Sequence, residues 1–153
     1  MNISGLLREE CIVLSLEPGD KKNVLKEIIS TLRERGIIKD EKLILRELLK
    51  REDVCSTGLE HGIAVPHALV EEVKEPFLAL ALLRRGMNFE SADSQPTHVV
   101  LILLGNKKQP GIQLKILAHI CRLVKETDFV GKVKKAKSAP EVCSILRKEE
   151  EKV

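Results

Sequence analysis

The residues whose types and spacing could do chemistry lie between positions 51 and 67. Arg51 comes first, then Ser56-Thr57-Gly58, then His61, then Gly62-Ile63-Ala64-Val65-Pro66-His67. His67 is reached along a constrained path, because Pro66 fixes its own φ and pushes Val65 into an extended conformation. A neutral imidazole titrates near neutrality and carries a free lone pair, so it can be a nucleophile, a base or a metal ligand. Gly58 and Gly62 permit positive φ or the close approach of a ligand. Ser56, Thr57 and Gly58 offer a hydroxyl and successive backbone N–H groups, a concave donor set that suits an anion. The Arg51 guanidinium can fork onto two phosphate oxygens. Each piece has a plainer reading: an Arg in a last helical turn complements the macrodipole, and Ser-Thr-Gly is ordinary turn composition. Together they describe a nucleophile built to handle an anion. A metal fits less well. On a strand, His61 and His67 would share a face but lie too far apart for one ion, and only Glu60 adds an acidic ligand, so no metal and no cofactor are expected.

The elements that must position these residues can be read from pattern. "CIVLSL" (11–16) is a short strand. Asp20 caps a helix from Lys21 to about Arg35, with the stripe Leu25, Ile28, Ile29, Leu32, and Gly36 stops it. Asp40 caps a second helix, striped by Ile44, Leu45, Leu48 and Leu49 and ending near Arg51 to Asp53, so that Arg51 borders its apolar face. "GIAVP" (62–66) is a short strand ending at the proline, which places His67 at a sheet's edge, where α/β sites usually lie. "FLALALL" (77–83) and "HVVLILLG" (98–105) are two more strands, with a polar loop or ragged hairpin between them. The run 99–104 does not alternate, so both its faces should be covered. Helices follow at about Gly111 to Lys125, Asp128 to Lys137, and from Ser138 with Pro140 in the first turn. The fold class is therefore α/β, a mixed four- to five-stranded sheet sandwiched between helices on both faces.

Composition closes off other classes. The 153 residues suit one domain with one core, spanning 1–153, with the charged tail from about 148 to 153 expected to fray. The net charge is +3, without a long Lys/Arg block, which argues against nucleic acid. Trp and Tyr are absent and only Phe77, Phe89 and Phe129 are aromatic, so neither bases nor sugars have a stacking platform. Cys11, Cys55, Cys121 and Cys143 are scattered, as in a reduced cytosolic protein, with Cys11, Cys121 and Cys143 at apolar positions and Cys55 in a loop. "MNISGLLREE" lacks a leader's apolar core, and "VVLILL" is too short to span a bilayer, so no membrane insertion is expected.

"REDVCSTGLEHGIAVPHALVEEVKEPFLAL" resembles the signature of the fructose/mannitol-type (type 2) enzyme IIA domains of the bacterial sugar phosphotransferase system, a branch that includes the nitrogen-regulatory IIA proteins. The pattern Arg-Glu, Ser/Thr-Thr-Gly, Gly-Ile-Ala-Val-Pro-His runs in order through Arg51-Glu52, Ser56-Thr57-Gly58 and Gly62 to His67. "RGMNFESADSQPTHVVLILL" and "LAHICRLVKETDFVGKVKKAKSAPEV" are similar too, so the likeness covers nearly the whole chain. The resemblance implies a cytoplasmic phosphohistidine carrier of the phosphoenolpyruvate-dependent system, a phosphotransferase of sugar transport. His67 would accept a phosphoryl group from the phosphocarrier protein HPr and pass it to a IIB domain or protein. Arg51 would neutralise the transferring group, and Ser56, Thr57 and Gly58 would support it. Phosphoryl transfer needs positioning and charge stabilisation above all.

The sequence departs from the family twice. Glu60 stands where glycine is common, close to the phosphate site. Gln113 stands where many members carry a second histidine at the start of the helix after the last strand. His119 does not fill that role, because Leu117, Ile120 and Val124 share the face of Gln113, whereas His119 falls on the opposite face with Lys115, Arg122 and Glu126 and reads as a solvated surface residue. Gln113 can hydrogen-bond an imidazole or a phosphate but takes no proton near neutrality. His61 reads as a bystander on the rim of the site and His98 as the start of a strand. A second function is a regulatory one, in which phosphorylation state selects a protein partner, since a phosphoryl group changes local charge by nearly two units. The absence of a IIB or IIC segment favours it. A third is a binding module that is no longer phosphorylated, suggested by Gln113. Nothing in the sequence names the sugar.

Overall fold

The computed structural model describes residues 2–153. In chain order the elements are β1 (Leu7–Leu16), α1 (Lys21–Glu34), α2 (Glu41–Val54), β2 (Ile63–Ala64), β3 (His67–Val70), β4 (Phe77–Met87), β5 (Thr97–Asn106), α3 (Pro110–Glu126), α4 (Phe129–Val133) and α5 (Ala139–Glu150). Short 3₁₀ turns at Ser4–Leu6 and Glu60–Gly62 precede β1 and β2.

The helix boundaries have local causes. Asp20 accepts a hydrogen bond from Asn23 N at 2.7 Å, Asp40 from Leu43 N at 3.1 Å and Ser138 from Glu141 N at 3.2 Å, each satisfying an otherwise orphaned donor. Gly36, at φ 76°, closes α1: Ile37 N bonds Leu32 O and Gly36 N bonds Arg33 O, both at 2.9 Å. Pro110 sits in the first turn of α3 and Pro140 in that of α5, where a missing N–H costs nothing.

The five strands form one mixed sheet in the order β1-β4-β5-β2, with β3 also on β5. β4 and β5 are antiparallel, while β1 runs parallel to β4, and β2 and β3 run parallel to β5. Leu78–Leu83 and Val99–Gly105 are buried throughout, so both faces of the central pair are covered. α1 packs on α2, and α3, α4 and α5 form a second connected group. This is the expected α/β sandwich.

Several expectations need correction, and α4 ends at Val133, short of the expected Lys137. The strand at 62–66 does not end the pairing. β2 pairs Ile63 with Val99, and β3 pairs His67 with Leu103, in the same register along β5. Val65-Pro66 is thus an interruption within one edge strand, and His67 is the first residue after it. β1 starts at Leu7, because Arg8, Glu9 and Glu10 sit exposed on an edge strand where charge is tolerated. In the tail from about 148, α5 runs to Glu150, Glu149 is ion-paired with Lys132 and Lys152, and Glu150 accepts from Ile3 N and Ser4 N, contacts that local sequence did not suggest. His119 is not solvated. Its Nε2 donates to Glu150 Oε2 at 2.9 Å, and its side chain is 18% exposed. Helical periodicity placed it off the core face but could not show that the N-terminal segment and α5 cover it. Of the cysteines, Cys11 is buried and Cys143 half-buried, but Cys121 is exposed.

Candidate functional site

His67 opens β3 on the edge of the sheet. Its Nδ1 lies 2.9 Å from the carbonyl oxygen of Val65. A carbonyl can only accept, so Nδ1 carries the proton, and in the neutral ring Nε2 holds the lone pair. Pro66 enforces this geometry. It has no N–H to donate, and its own carbonyl accepts from Leu103 N at 3.0 Å, which ties the break to β5. Burial, above all, lowers the ring's pKa, and the nearby Arg51 charge acts the same way. The Val65 bond and the Glu52 charge oppose them without reversing the sign.

The ring lines a cleft of about 490 Å³ between α2, β3 and the start of α3, together with Arg51, Leu69, Gln113, Leu114 and Leu117. Arg51, in the last turn of α2, donates Nη1 to Cys55 O at 2.8 Å. That uses one guanidinium donor and leaves the others for an anion. Glu47 and Lys50 also border the cleft. Leu114 is 68% exposed on its rim, and Val54, at the end of α2, is 80% exposed.

Gln113 is buried, at 4% exposure, on the inner face of α3. Its Nε2 donates to Ala68 O, the residue after His67, at 3.2 Å. Its Oε1 is buried without a hydrogen-bond partner. That oxygen lies over Gly105 of β5, where a Cβ would collide with it. Gln113 thus ties α3 to the strand that carries His67.

The Ser56–Gly58 turn is differently occupied from the expectation of free donors. Ser56 Oγ donates to Phe89 O at 2.6 Å, and Gly58 N donates to Ser56 Oγ at 3.1 Å. Thr57 is buried, and both its N–H and its hydroxyl donate to the Glu52 carboxylate. These groups brace the site from behind. Gly58 is required by close approach: a Cβ would sit 2.8 Å from Ser91 Cα and 3.0 Å from Phe89 O. Gly62 needs its freedom for φ 87°.

His61 and His67 do not share the cleft. His61 sits at φ 69°, its side chain is 57% exposed, and it borders a separate depression with Thr127 and Asp128. Glu60, the departure near the site, has an exposed side chain, 3.9 Å from the His61 ring. Reasoning from sequence did not single out Lys21, whose Nζ lies 3.0 Å from Glu52 Oε2, or the buried place of Glu52. One signal was available: a glutamate in a helix's last turn opposes the macrodipole, so its position asks for another cause.

No helix among the described residues is long and apolar enough to cross a membrane. The sequence profile described as "Phosphoenolpyruvate-dependent sugar phosphotransferase system, EIIA 2" matches residues 5–149. The chain is 32% identical over 146 residues to a nitrogen regulatory protein of Bradyrhizobium diazoefficiens, covering 95% of each. It is 30% identical over 146 residues to the fructose-specific EIIABC component of Bacillus subtilis, covering 95% of this chain but only 23% of that longer protein. Among solved structures, nitrogen regulatory protein IIA-Ntr from Neisseria meningitidis superimposes with a TM-score of 0.84 at 30% identity, over 94% of this chain and 98% of that one. With a match across nearly all of its length in both sequence and fold, the chain belongs to the type 2 EIIA family of the phosphoenolpyruvate-dependent sugar phosphotransferase system.

Proposed function

We propose that this protein is a cytoplasmic phosphohistidine carrier, with His67 as the phosphoryl acceptor. The observation that carries the reading is the hydrogen bond from Nδ1 to Val65 O, which leaves the lone pair on Nε2 of a ring beside Arg51 in an open cleft. In the reaction, the Nε2 lone pair attacks phosphorus. The bond from phosphorus to the donor carrier's nitrogen breaks, and that nitrogen keeps the electron pair. The proton on Nδ1 stays in place, so the phosphorylated ring is cationic and the Val65 carbonyl stabilises it. A cationic ring is a good leaving group, which suits onward transfer. Arg51 offsets charge on the phosphoryl oxygens. Gln113 holds the adjoining strand through Ala68. The donor is an HPr-type carrier and the acceptor a IIB domain or protein, as the family membership suggests.

Incubation with phosphoenolpyruvate, enzyme I and HPr tests the reading. Label is expected on wild type and absent from His67→Ala, with the phosphorus resonance of an Nε2 adduct. Equal labelling of both proteins removes His67 from the role.

A second reading is regulatory, with a partner protein chosen by phosphorylation state. It is favoured by the full-length similarity to nitrogen regulatory proteins. Capture of a partner by only one of the two forms, phosphorylated or not, would support it.

A further inference from the structure

Two consecutive residues at the end of α2 do different things. Arg51 borders the cleft, whereas Glu52 turns inward and is 7% exposed. A buried carboxylate needs charge and hydrogen-bond partners, and Glu52 has them. Lys21 Nζ donates to Oε2 at 3.0 Å, Thr57 N donates to the same oxygen at 3.2 Å, and the Thr57 hydroxyl donates to Oε1. Lys21 also lies 3.3 Å from Glu90 Oε1 and 4.9 Å from the Phe89 ring centre.

The bonds continue from Thr57 toward the cleft. Thr57 O accepts from Val65 N at 3.0 Å, and Val65 O accepts from His67 Nδ1 at 2.9 Å. The two backbone bonds on Thr57, and those on Val65, belong to different peptide groups, so the series carries position and not polarisation: moving Thr57 moves Val65, and with it the carbonyl that holds the ring. The series therefore runs from a buried carboxylate, through two residues' backbones, to the ring.

We propose that Glu52 is a positioning residue for His67, acting through Thr57 and Val65 to hold the ring in the tautomer that leaves Nε2 free. Its functional meaning rests on the carrier reading above, but the ring's tautomer is readable in the unphosphorylated protein. The competing explanation is that Glu52 and Lys21 form an ion pair that serves stability alone. Such a pair would shift the melting temperature and leave the ring unchanged.

Nitrogen NMR of the His67 ring separates the two, measured on wild type, Glu52→Gln, Thr57→Val and Thr57→Ser. Wild type is expected to show one dominant tautomer, with the proton on Nδ1. Glu52→Gln and Thr57→Val are expected to give mixed tautomers, and Thr57→Ser, which keeps the hydroxyl, to return the wild-type signature. Phosphoryl transfer should follow, with kcat lower by up to about 100-fold and KM for phospho-HPr little changed. A folded Glu52→Gln or Thr57→Val protein with the wild-type tautomer overturns the proposal, as does a wild type without a dominant one. If Glu52→Gln does not fold, Thr57→Val decides, since it removes one hydroxyl and keeps the side chain's shape. Failure of wild type to take a phosphoryl group would sink the carrier reading while the NMR result still decides this one.

Discussion

His67 is held by its own chain: Nδ1 reaches back 2.9 Å to the carbonyl of Val65, two residues upstream. Burial, first, and the Arg51 charge push the ring's pKa below the usual value, against the smaller pull of the Val65 bond and Glu52. Protonation would occupy Nε2 and remove the lone pair. Phosphoryl acceptance should therefore hold to lower pH than for an ordinary histidine at about 6.5 and fall as pH drops through the depressed value. The sign for stability follows. Between the folded pKa and about 6.5 the unfolded chain binds more protons, so this group's contribution is complete above about 6.5 and is lost as pH falls toward the folded value. An NMR titration with unfolding curves across that window checks both, and a His67 midpoint at or above the ordinary value contradicts them.

Gln113 has no ionisation near neutrality, so the transfer profile should carry the titration of His67 without a second group from α3. Gln113→His should add a second inflection to the rate–pH curve. Superimposable profiles for the two proteins would show that position 113 does not tune the acceptor.

Arg51→Ala should lower kcat for phosphoryl transfer by roughly 100-fold or more, the usual scale for losing a preorganised charge at a reacting centre. It also loses the bond to Cys55 O, worth about 1 kcal/mol of stability. Arg51→Lys should recover part of the rate, because a point charge replaces a fork. Single-turnover kinetics with phospho-HPr read this directly, and an unchanged rate for the alanine variant removes Arg51 from the reaction.

The clasp at the C-terminus predicts a stability effect remote from the cleft. Glu150→Ala should cost about 1.5–3 kcal/mol, since a charged acceptor is lost to two backbone donors and His119. Burial alone would raise the Glu150 pKa, but the Ile3 and Ser4 N–H groups and His119 outweigh it, and the net shift is downward. Its stabilisation is therefore complete above the unfolded value of about 4.3 and is lost as pH falls through the lower folded value. Urea titration of the variant and wild type at neutral and acid pH measures it. Equal midpoints would mean that the clasp is not stabilising.

What the sequence made legible was what local rules control. The caps at Asp20, Asp40 and Ser138, the stop at Gly36 and the buried run of β5 follow from short-range chemistry, and His67 and Arg51 do face one cleft. What it left dark depends on contacts distant in sequence. Thr57 looked like a free donor because its acceptor, Glu52, though only five residues away, is held inward beside Lys21, which lies 31 residues upstream. The tail looked loose because the groups that pin it, Ile3 N and Ser4 N, lie at the other end of the chain. Pro66 read as a strand's end because periodicity cannot see that β5 keeps the register across the gap.

The Gln113 amide oxygen lies where a Cβ on Gly105 would sit, and glycine has no side chain to displace it. Positions 105 and 113 are therefore expected to vary together. A homologue that gains a side chain at 105 must shrink or turn the residue at 113, and so loosen the hold on Ala68 beside the nucleophile. Covariation between these two columns, stronger than between either and its chain neighbours, is the trace this packing should leave across related sequences.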